Sequence, residues 1–151
     1  MISSHLLLFI HLLAVIVWVG GMAFAYLCLR PAAGLLAPPD RLRLWHGVFA
    51  RFFPMVWVAV IAILASGFAG IAQVGFAAAP RAWHVMMSIG LLMIGVYLYV
   101  WIGPWQRLRS AVAAERWPDG AAALGRIRQA VAVNLGLGLL NVAVATLGLA
   151  A

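Results

Sequence analysis

Residues 6–29 read LLLFIHLLAVIVWVGGMAFAYLCL, and the next two residues are Arg30 and Pro31. This stretch holds no charged residue, and the hydrocarbon core of a bilayer is crossed by about 20 apolar residues in a helix. No basic residue precedes it, and it is too long for the apolar segment of a secretory signal, so it reads as a retained span. Its Leu, Val, Ala and Ile residues do not alternate with polar ones. A lipid-facing β-strand would require that alternation.

Cutting the rest of the chain at Arg and Pro gives three more such stretches, at residues 52–76, 82–103 and 130–151. The expectation is one domain, an all-α transmembrane four-helix bundle. Composition agrees: of 151 residues 67% are hydrophobic and 9% charged, against roughly a quarter charged in a soluble domain. Disorder, a disulfide scaffold and a nucleic-acid-binding domain are excluded, since the single Cys28 has no partner in the chain and no polar domain exists to present the basic residues.

The net charge of +7 comes from ten arginines against Asp40, Glu115 and Asp119. Arg30, Arg41, Arg43 and Arg51 surround the first connection, and Arg107, Arg109, Arg116, Arg126 and Arg128 the third. Basic residues concentrate on the cytoplasmic side of membrane proteins. The expectation is therefore a cytoplasmic basic end, with both termini outside. Pro31 is expected to stop span one. Asp40 and Asp119, each after a proline, are expected as N-caps of helices that start two to three turns below the membrane. The two halves read as a weak duplication.

Polar residues inside spans are expensive and ask for a reason. Ser66, Gly70 and Gln73 share one helical stripe, as do Asn134, Gly138 and Asn141, and both stripes are expected to face the bundle interior. His11 lies about 8 Å inside the outer edge of span one. His84 lies slightly inside the same edge of span three. Neutral imidazole binds haem iron and copper, and helical bundles build such sites from facing side chains. Arg81, the one basic residue on the outer side, precedes His84 by one turn and could pair a haem propionate. Each residue also has a plainer reading, as a hydrogen-bonded anchor or a headgroup contact. Met86, Met87 and Met93 on span three, with Met55 on span two, Met22 below and His5 at the mouth, offer a soft path for Cu(I) or serve as core filler.

The run from His11 through Trp18, Gly20, Gly21 and Met22, then Leu29 to Ala33, resembles the CopD-like integral membrane family, the copper-resistance D type. The entry from Arg41 to Trp45, Arg51 to Pro54, and Pro104 to Arg109 share the resemblance. That family is distantly similar to HemJ-type protoporphyrinogen oxidases. The resemblance implies a multi-pass protein of the bacterial inner membrane. Its HemJ side implies haem b held by a first-span histidine, which falls on His11, with His84 as the second ligand chosen from depth.

Three functions follow as expectations. The first is a haem b protein, with His11 and His84 on the metal and Arg81 on a propionate, exchanging electrons between a membrane quinone and a periplasmic redox partner. The second is copper import or copper binding. The third is a structural subunit beside a larger complex. Gly21 and Ala25 would suit a homodimer as well as the bundle.

Overall fold

The structure is a computed structural model that describes residues 2–147. Among those residues every regular element is helical, and four helical segments are long and apolar enough to cross a membrane: Ser4–Ala33, Pro38–Val74, Arg81–Ala113 and Trp117–Leu147. The first comprises α1 (Ile2–Val15), a π-helical turn (Ile16–Gly20), α2 (Gly21–Phe24), a second π-helical turn (Ala25–Leu29) and α3 (Arg30–Ala33). The others are α4 (Pro38–Val74), α5 (Arg81–Ile102) with α6 (Pro104–Ala113), and α7 (Trp117–Leu147). The expected end of the fourth span, residues 148–151, lies outside the described residues.

Span one packs along α4 and α5 along α7, so each half is an antiparallel hairpin; α7 also reaches α4 and span one. The second half adds α6, which has no counterpart of its length in the first. At 1.5 Å per residue, α4 extends about 55 Å, well beyond a hydrocarbon core of about 30 Å. The excess lies at the basic end. There the first turns of α4 and α7 pack with α6 around Leu42, Leu108 and Ile127, which are among the most deeply buried side chains.

The helix starts differ from expectation. Ala37 caps α4 without a side-chain hydrogen bond and Pro38 takes the first helical position, where a missing N–H costs nothing. Asp40 therefore sits inside the first turn, near the positive end of the helix dipole and 3.3 Å from Arg43. Asp119 likewise lies within the first turn of α7 rather than capping it, 2.9 Å from Arg116.

Pro31 does not stop span one, which continues to Ala33. Its ring crowds the Leu27 carbonyl one turn back and cannot donate to it. The π-helical turn at Ala25–Leu29, wider than an α-turn, is the local response. The other π-helical turn surrounds Trp18, whose ring is buried at 6.2 Å from Tyr97.

Spans two and three meet through aromatic rings. Phe53 stands edge-on to Tyr97, Trp101 and Trp105, and Trp57 edge-on to Tyr97 and Trp101, with centroids 5.2–6.1 Å apart. The buried Tyr97 hydroxyl donates to the Phe53 carbonyl at 3.0 Å and clips α5 to α4. Asn134 of α7 donates to the Met93 carbonyl at 3.1 Å, so this amide does bond across helices. Among the described residues the ring stack ends at Trp57 and Tyr97, and beyond it, toward the Arg81 end, space between α4 and α5 stays unfilled.

Candidate functional site

That unfilled space is a cavity of about 460 Å³. Span one contributes Ser4, Leu7, Leu8 and His11; α4 contributes residues between Ile63 and Val74; α5 contributes residues between Trp83 and Ile94; α7 contributes Asn141. Glycines make the room. A Cβ on Gly90 would meet nothing within 4 Å, and Cβ atoms on Gly67 and Gly70 would stand 3.8 Å from the His11 and Trp83 rings.

The Ser66, Gly70 and Gln73 stripe faces this cavity, as its spacing predicted. Asn141 donates to the Met86 carbonyl at 3.4 Å, and its Oδ1 is buried without a partner among the described residues. Ser4 Oγ donates to Gln73 Oε1 at 3.3 Å near the cavity mouth.

The His11 ring is fixed by one bond chain. Its Nδ1 lies 2.9 Å from Ser66 Oγ. The Ser66 hydroxyl is itself 2.6 Å from the Ala62 carbonyl and 3.2 Å from that of Ile63. Carbonyls only accept, so the single hydroxyl proton is spent on α4's backbone, and Ser66 Oγ accepts from His11 Nδ1–H. A neutral ring then carries its lone pair on Nε2. Histidines that bind metals are commonly oriented by this kind of Nδ1–H donation.

His84 is placed differently. Its Nδ1 lies 3.3 Å from the Pro80 carbonyl and its Nε2 3.1 Å from the Phe76 carbonyl, with the Phe76 ring edge-on at 4.7 Å. Both nitrogens thus face backbone oxygens of the connection between α4 and α5, and the residue is outside the cavity lining. His11 lines the cavity and His84 sits beside the α4–α5 connection. Arg81 is exposed at the first position of α5 and forms no ion pair among the described residues.

Of the methionines, Met86 and Met87 both line the cavity, whereas Met22 and Met93 are buried in the core. His46 stacks on Trp105 at the basic end, 5.5 Å between centroids. Among the described residues no cluster of three or more His, Cys, Asp or Glu side chains could hold a metal ion.

One pairing and one distinction at the site were not legible in the sequence. Ser66 was legible as an interior residue, but its pairing with a histidine 55 positions away was not. Met86 was grouped with other methionines by type, and only the helix rotation separates it from Met93.

These features define a multi-pass helical membrane protein with one imidazole and two thioethers around a glycine-walled cavity. Residues 46–147 match the family described as Copper resistance protein D, CopD. The chain belongs to that family. Comparison with curated proteins and with solved structures finds no match. Most of the cavity wall lies within the matched stretch, while His11 and the rest of span one precede it.

Proposed function

We propose that this protein handles copper in the membrane, with Cu(I) as a cargo that rests in the cavity between His11 Nε2 and the thioethers of Met86 and Met87. The observation that carries the reading is the His11–Ser66–Ala62 chain, which leaves Nε2 as the lone-pair nitrogen of a residue on the cavity wall. Imidazole and thioether are soft or borderline donors that suit Cu(I), and the site carries no carboxylate that would favour a hard cation. Family membership points the same way. The cavity lies toward the end away from the nine arginines of the two basic connections, so copper meets it from outside the cytoplasm if those connections stay inside.

The test is Cu(I) competition between purified protein and a colorimetric chelator. The expected result is one Cu(I) bound per chain, lost in His11→Ala and weakened in Met86→Leu with Met87→Leu. Binding that is absent, or unchanged in both variants, contradicts the proposal.

A second reading, haem b with electron transfer, rests on the largely apolar lining of the cavity that His11 shares. The paired histidine ligation expected for it fits poorly, because both His84 nitrogens face carbonyls and His84 lies off the cavity. A Soret band in the purified protein would favour this reading over copper.

A further inference from the structure

At the basic end, Arg30 of α3, Arg41 of α4 and Arg128 of α7 converge on one open pocket of about 440 Å³, completed by Tyr26, Leu27, Pro31 and Gly34. Three separate spans thus deliver guanidinium groups to the same place, close enough that the charges of Arg30 and Arg41 act on Arg128. Like charges brought together cost free energy unless an anion lies between them.

The chain has no acid to supply. Its three acidic side chains are taken elsewhere, Asp40 and Glu115 by Arg43 and Asp119 by Arg116. Two of the guanidiniums are also held in place by aromatic faces: Arg30 lies 5.0 Å from the Tyr26 ring centroid and Arg128 5.7 Å from that of Trp45. Arg128 Nε is buried and has no partner among the described residues. Ordinary topology-setting arginines spread along an interface and reach separately into water or headgroups. These three are pre-positioned around a shared space.

We propose that this pocket binds a phosphate group, that of an anionic phospholipid. Guanidinium forks match phosphate oxygens in bidentate geometry, and basic pockets between spans take anionic headgroups. Leu27 lines the pocket and is 67% exposed along span one, which continues the pocket into an apolar track for an acyl chain. A free phosphate would use the same three arginines without needing that track.

The full-length protein in neutral detergent is titrated with phosphatidylglycerol, phosphatidylcholine or inorganic phosphate while thermal unfolding is followed. Phosphatidylglycerol raises Tm and phosphatidylcholine does not. The triple variant Arg30→Gln, Arg41→Gln, Arg128→Gln loses the rise. The triple variant Arg107→Gln, Arg109→Gln, Arg126→Gln, equal in charge loss but outside the pocket, keeps it. A rise that inorganic phosphate saturates, with nothing added by phosphatidylglycerol, assigns the same site to free phosphate. Should the pocket triple variant fail to fold, Arg41→Gln alone lowers the apparent affinity roughly tenfold. No rise with either phosphate source, or equal rises in both triple variants, overturns the proposal, as does unchanged affinity in Arg41→Gln.

Discussion

Ser66 holds the smallest decision in the molecule, the direction of one hydroxyl proton. Because that proton is shared with the Ala62 and Ile63 carbonyls, the oxygen can only accept from His11. Ser66→Ala removes the hydroxyl that accepts from Nδ1–H and loosens the hold on the ring. Loss of such an orienting partner costs roughly 10–100-fold in metal affinity. Chelator competition on Ser66→Ala is therefore expected to show weaker Cu(I) binding by that factor while helicity by circular dichroism stays unchanged. At the same scale, Tyr97→Phe removes the hydroxyl that donates to the Phe53 carbonyl and leaves the ring stack in place. A loss of about 1 kcal/mol in unfolding free energy is expected, read from unfolding of the purified protein. Residue identities such as His11 and Ser66 were legible from the cost of polar groups in a bilayer. Their pairing was not, because it depends on the relative rotation and depth of two helices.

At the scale of elements, the apolar runs made four long helices legible, since chain length against bilayer thickness leaves little choice. Helix starts and the course of span one were less legible. Proline was read as a terminator at residue 31, but a π-helical turn upstream absorbs the crowding and the helix continues. The stripe containing Asn134, Gly138 and Asn141 was read correctly, because packing of small and amide residues against neighbours has a helical period. Gly138 shows how tight that packing is. A Cβ there would stand 2.9 Å from Val19 Cγ2 and 3.2 Å from Met93 Cε. Gly138→Leu is expected to separate α7 from span one and α5 and to cost roughly 1–3 kcal/mol, seen as a lower unfolding midpoint. Gly90→Ala, where a Cβ meets nothing within 4 Å, is the matched control and is expected to leave the midpoint unchanged.

Across the whole molecule the ends have different work. At the basic end α6 and the first turns of α4 and α7 fill the centre of the bundle, with Leu108 and Ile127 fully buried, and the arginine pocket lies open at its surface. The other end is hollow. None of this asymmetry is visible in hydropathy, which rates both ends of each span as apolar, because the hollow arises from where three glycines point. Charge placement does predict an orientation, and labelling can test it in a Cys28→Ala background. Ala78→Cys, in the connection between α4 and α5, is expected to react with an impermeant maleimide on intact cells. Glu115→Cys, between α6 and α7, is expected to react only after permeabilisation.

The central claim is that the hollow end receives Cu(I) through His11. The most direct measurement is X-ray absorption at the copper edge on protein loaded with one equivalent of Cu(I), compared with His11→Ala. The account predicts a mixed nitrogen and sulfur shell for the wild-type chain and loss of the nitrogen contribution in the variant. A shell identical in the two proteins, or no copper retained by the wild-type chain, would contradict it.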